Sequence, residues 1–77
     1  MDAELIRAKI RHKLRTGDLP DRHLLVLAIG PGTGKRCNAC DREIYPSDVQ
    51  CQCDLAVGGG VWFHKTCFAL WKRVLRG

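Results

Sequence analysis

Cys37-Asn38-Ala39-Cys40 and His64-Lys65-Thr66-Cys67 are the residues of this 77-residue chain whose types and spacing could do chemistry. Each pair sets two N or S donors two residues apart, so a single tight turn can present both to one ion. Zinc takes four such donors in a tetrahedron, and Cys₃His is among its common structural sets. The expectation is one structural Zn²⁺ held by Cys37, Cys40, His64 and Cys67. The histidine favours zinc over an iron–sulfur cluster. Four protein ligands leave no open position for water, and no Ser/His/Asp set accompanies them, so no catalytic residues and no small-molecule substrate are expected.

The elements that must position these residues are legible from pattern. Residues 3–15 read as a helix, with Asp2 as its cap, Glu4 in its first turn and Gly17 as its stop. Leu5, Ile6, Ile10 and Leu14 form its apolar stripe, and basic residues fill much of the rest. Leu24–Ile29 is an uninterrupted apolar run of strand length, read as a buried strand. Residues 30–36 form a glycine-rich loop. It departs from the GxxxxGK[ST] phosphate-loop pattern, so a turn leading into the first ligand pair is expected. From 48 to 57 the residues alternate. Val49, Cys51, Cys53, Leu55 and Val57 take one face, and Gln50, Gln52, Asp54 and Ala56 the other. Gly58-Gly59-Gly60 turns the chain and Val61–His64 returns it. Residues 65–76 complete the pattern as a helix with Cys67, Leu70, Trp71 and Val74 on one face.

Ligands thus fall on a backbone knuckle, then across a β-hairpin to the start of a helix. Asp41, after the knuckle, tolerates the left-handed conformation such turns use. This order over residues 37–77 resembles a treble-clef zinc finger. The spacing C-x₂-C-x₂₃-H-x₂-C is similar to the first zinc-binding half of a LIM domain, with Phe68 and Trp71 like the apolar residues that pack behind such a site. A LIM domain continues with a second set of four ligands, which this sequence lacks, so the resemblance implies the zinc half alone. The Gly-Pro-Gly-Thr-Gly loop before CxxC and the later Phe-His-x-x-Cys-Phe are also similar to short uncharacterised bacterial zinc-finger-like proteins, a likeness that implies no activity.

The fold expected is therefore small α+β and zinc-stapled: an N-terminal helix, a short strand, then knuckle, hairpin and C-terminal helix. Residues 1–36 and the zinc module 37–77 are expected to form one compact domain. A chain this short buries little surface and benefits from a metal staple. No run approaches the roughly 20 apolar residues of a membrane span, and the charged N-terminus lacks the apolar core of a secretory signal. A cytoplasmic location is expected, where thiols stay reduced and an odd count of five cysteines suits metal binding better than disulfides.

Cys51 and Cys53 carry a second reading. On the apolar face of a strand they pack as small hydrophobes, yet near a metal site they could serve thiol-redox or metal-handling chemistry. A net charge of +5 permits nucleic acid without requiring it. The leading function is an interaction module that binds a protein or, as the second choice, nucleic acid. The candidate partner-binding residues are Arg7, Arg11, Arg15, Trp62, Lys72 and Arg73. Docking of the N-terminal helix on the zinc module is expected because its stripe needs cover. Lys35 and Arg36 are placed to offset thiolate charge.

Overall fold

A computed structural model describes residues 2–22, 24–55 and 59–77. Its elements run α1 (Ala3–Thr16), β1 (Leu25–Pro31), β2 (Val49–Asp54), β3 (Gly60–His64) and α2 (Lys65–Arg76). The strands form one antiparallel sheet in the order β1-β2-β3. The expected helices, strands and small α+β class are all present.

Helix α1 begins and ends for identifiable reasons. The Asp2 carboxylate accepts from the Glu4 N–H at 3.0 Å, filling one of the first-turn donors of α1. Gly17 closes that helix at φ 84°, a conformation that glycine takes without strain. Ile6 and Ile10 of α1 are buried against α2, with Leu14 packed on the same core. The expected docking of α1 is thus observed. Leu5 departs from expectation: it points to solvent, because the cover that α2 provides is narrower than a four-residue stripe.

Beneath α2, Phe63, Phe68 and Trp71 pack with ring centroids 5.5–5.7 Å apart. The Trp71 indole N–H donates to the Pro20 carbonyl at 3.0 Å, tying the chain after α1 to the second helix. Cys51 and Cys53 of β2 lie buried in this core, as their face implied.

Three expectations about the strands need correction. Residues 24–29 do form most of a strand, which continues to Pro31, but it is not buried. Leu25, Val26, Leu27 and Ile29 are exposed by 38–69 %. The cause is reach: α2 packs on β2 and β3, not on the outer strand. Val49 is exposed for the same reason, at the end of β2 beside Pro31. Gln50, assigned to the polar face, is buried. Its side-chain oxygen accepts from the Thr33 hydroxyl at 3.0 Å and the Thr33 N–H at 3.3 Å, which satisfies it. The readings of Ala56, Val57 and Gly58 lie outside the described residues. Gly59 has φ 104°, and Gly60 opens β3.

Candidate metal centre

The first ligand pair sits on a narrow ribbon that doubles back on itself. The Ile44 N–H donates to the Lys35 carbonyl at 2.8 Å and the Gly34 N–H to the Ile44 carbonyl at 2.9 Å. Arg36 and Glu43 form an antiparallel bridge, and the Cys37 N–H donates to the Arg42 carbonyl at 2.8 Å. The Asp41 N–H donates to the Cys37 carbonyl at 2.9 Å, closing the turn. Asp41 has φ 66°, the left-handed conformation expected of it. The turn thereby brings the Cys37 and Cys40 thiols to the same side.

The knuckle is clamped to the outer edge of β3 through Asn38. Its N–H donates to the Trp62 carbonyl at 2.8 Å, and its side-chain oxygen accepts from the Trp62 N–H at 3.1 Å. On the other flank α1 contributes two cations. Lys9 Nζ donates to the Cys40 carbonyl at 3.2 Å and Lys13 Nζ to the Asn38 carbonyl at 2.9 Å; Lys13 also pairs with Asp41. These two lysines bring positive charge to the knuckle carbonyls. Lys35 instead lies over the Trp62 ring, 4.9 Å from its centroid.

His64 and Cys67 come from the junction of β3 and α2. His64 is the extended residue before the helix, and its side chain makes no capping bond because it turns toward the cysteines. Cys67 follows in the first helical turn, where exposed backbone N–H groups favour a thiolate.

The four candidate ligand atoms lie within 4.8 Å of one another, and all four residues are buried. His64 Nδ1 is 3.4 Å from Cys40 Sγ and 3.8 Å from Cys67 Sγ. Donors at zinc–nitrogen and zinc–sulfur bond lengths in a tetrahedron are about 3.6 Å apart, so the observed spacing fits a common ion. The His64 N–H also donates to Cys37 Sγ at 3.5 Å. The other imidazole nitrogen, Nε2, faces Asp48 Oδ2 at 3.6 Å. A carboxylate behind a metal-binding histidine is a recurrent orienting partner.

The thiols of the cluster perturb one another. A hydrogen bond from Cys67 draws the Cys37 thiol down to about 4. Cys67 is pushed up by that same bond and by burial, and Cys40 is pushed up chiefly by burial. Three thiols packed this closely resist joint ionisation, and a divalent ion is the species that relieves their repulsion. The four residues are thus a Cys₃His cluster close enough to hold one metal ion.

The cluster does not include Cys51 or Cys53. Burial raises both thiols, Cys53 to about 11. Of the candidate partner residues, Arg7, Arg11 and Arg73 line one cleft between α1 and α2, together with Val74 and Gly77. Arg15, Trp62 and Lys72 do not line it. Arg7 is paired with Glu4, and Lys72 lies over Phe68.

The supporting residues Lys9, Lys13, Asn38 and Asp48 were not singled out by sequence reasoning. Their roles depend on contacts between 16 and 31 residues apart in the chain, and no local spacing announces them. No protein-family model, curated protein or solved structure matches this chain. Among the described residues no helix is long and apolar enough to cross a membrane.

Proposed function

We propose that this chain is a zinc-held interaction module: one structural Zn²⁺ on Cys37, Cys40, His64 and Cys67 fixes a small scaffold whose surface binds a protein. The observation that carries the reading is the convergence of four buried donors from two separate segments within 4.8 Å. The donor set is that of a closed structural site, and bound zinc would supply cross-linking and charge compensation. With every ligand position taken by protein, we read the chain as non-enzymatic. The course of knuckle, hairpin and helix supports a treble-clef finger similar to the first zinc half of a LIM domain.

A protein partner is favoured over nucleic acid by the exposed apolar side chains of β1, which offer nothing to phosphate. Nucleic acid remains the second reading, supported by Arg7, Arg11 and Arg73 in one cleft. That reading requires affinity falling steeply with salt. The test of the metal reading is elemental analysis of purified protein. One zinc per chain, lost together with the fold on chelation, supports the proposal. A metal-free chain that still unfolds cooperatively overturns it.

A further inference from the structure

Helices α1 and α2 pack together, and a groove follows their junction. Ala3 and Ile6 of α1 line one half of it with Ala69 and Leu70 of α2. Arg7 and Arg11 line the other half. Arg73 lines both, so the apolar half opens directly onto the basic one. Along α1 the groove extends from Ala3 to Arg11, about 12 Å at the helical rise per residue. The basic half gathers like charges at close spacing. Arg7 and Arg11 stand one turn apart on α1, where two cations destabilise a helix. A place in the last turn of α2 accounts for Arg73, but Arg7 and Arg11 lie in the middle of α1, away from its C-terminal end. The lysines of that helix are engaged inside the protein, since Lys9 and Lys13 hold the knuckle carbonyls. Arg7 pairs with the exposed Glu4, and among the described residues Arg11 and Arg73 have no ion pair. Helix α2 contains no acidic residue to supply one.

We propose that this groove is the docking site for an acidic, amphipathic peptide segment of a partner protein. The inference rests on the reading of the chain as a protein-binding module, and it names the partner's chemistry and its seat. The arginines present forked N–H donors that match carboxylate oxygens in pairs. Alone they would suit phosphate equally, and the apolar half decides for peptide. Ile6 and Leu70 offer apolar surface, and the short side chains of Ala3 and Ala69 let a third chain approach closely. No aromatic residue lines either half, so unpaired bases have nothing there to stack on. A helical segment of about eight to ten residues spans the groove. It places apolar side chains against Ile6 and Leu70 and, one to two turns further on, carboxylates against Arg7, Arg11 and Arg73. This is the helix-in-groove mode of recognition with charge fixing the direction of the helix.

The test is selection from a displayed library of random peptides, about ten residues long, on the zinc-loaded full chain at low salt. Enriched peptides should combine Asp or Glu with a cluster of Leu, Ile or Phe. A synthetic copy of the strongest binder should lose at least about tenfold in affinity to Arg11→Glu and to Arg73→Glu, which set like charge against it. Ala69→Glu in the apolar half should act likewise, and Arg11→Lys should cost less. Arg11, Ala69 and Arg73 are exposed, so each variant should keep wild-type circular dichroism and one zinc per chain. Acidic peptides whose affinity is unchanged by both arginine reversals overturn the groove and leave the protein-binding reading intact. Enrichment of neutral or basic peptides does the same. No enrichment of any peptide overturns the groove and the protein-binding reading together. A single-stranded RNA that binds more tightly than any selected peptide, and is weakened by Arg11→Glu, overturns the peptide and gives the site to nucleic acid. Peptide binding by a folded chain that carries no zinc overturns the metal reading alone.

Discussion

His64 Nε2 lies 3.6 Å from Asp48 Oδ2, and the same carboxylate oxygen accepts from the Tyr45 N–H at 3.0 Å. The imidazole is thus held between a carboxylate on one side and two thiol sulfurs on the other, which leaves Nδ1 to face the cluster. Asp48 does not touch the metal position; its carboxylate stands behind the ring on the Nε2 side, where orienting partners of metal-binding histidines are found. Asp48→Ala should lower zinc affinity by about 10–100-fold, while the saturated protein keeps its fold. Competition with a chromophoric chelator reads this directly. Affinity equal to wild type would reduce the contact to a surface ion pair.

Removing a ligand should act on the whole fold. A structural zinc contributes roughly 10–16 kcal/mol in small finger peptides, against a total stability of about 5–15 kcal/mol for an ordinary domain. Cys67→Ser leaves a poorer donor in the first turn of α2 and should abolish cooperative unfolding at neutral pH. Excess chelator should do the same to the wild type. Trp71, stacked in the core, makes tryptophan fluorescence the natural probe. Retention of a cooperative transition in Cys67→Ser would show that Ile10, Phe63 and Trp71 suffice without the metal.

The Cys₃His cluster was legible because two short spacings carry the whole signal and need no knowledge of the rest of the fold. The helix at 65–76 was legible for a similar reason: its apolar face repeats at helical period over three turns. Burial of β1 was misjudged because periodicity reports what a segment could bury, not what covers it, and α2 reaches only β2 and β3. Gln50 was misassigned because its burial depends on Thr33, seventeen residues away. Lys9 and Lys13 read as part of a solvated basic face, yet they hold the knuckle carbonyls. That use follows from the angle at which α1 docks, which no local pattern encodes.

Gly32 is a glycine with a specific reason. A Cβ there would collide with the backbone carbonyl oxygen of Tyr45 and come within 2.6 Å of that of Ile44. Its own N–H donates to the Asp48 carbonyl at 3.0 Å, so the loop lies flat against the chain that leaves the knuckle. Gly32→Ala should destabilise the protein by about 2–4 kcal/mol, since the clash is with backbone that cannot rotate away. Chemical denaturation of the zinc-loaded variant provides the value. Gly34→Ala is a useful contrast: a Cβ there meets nothing within 4 Å, and the cost comes only from its φ of 82°. The smaller loss expected at Gly34 separates packing from backbone conformation.

Cys53 gives a pH dependence whose sign can be worked out. Burial raises its thiol from the ordinary 9.0 to about 11 in the folded chain. Below pH 9 both folded and unfolded chains keep the proton, so the contribution is constant. Between about 9 and 11 the unfolded chain releases a proton that the folded chain retains, and stability falls as pH rises. The loss should be on the order of 2 kcal/mol across that window and should level off above it. Cys53→Ala removes the titrating group and should flatten the curve, at the cost of a small cavity. The same burial predicts that Cys51 and Cys53 resist alkylation in the folded zinc-loaded protein at pH 7.5 and react only on unfolding. Rapid modification of either thiol under those conditions, with zinc still bound, would revive the thiol-redox reading of this strand.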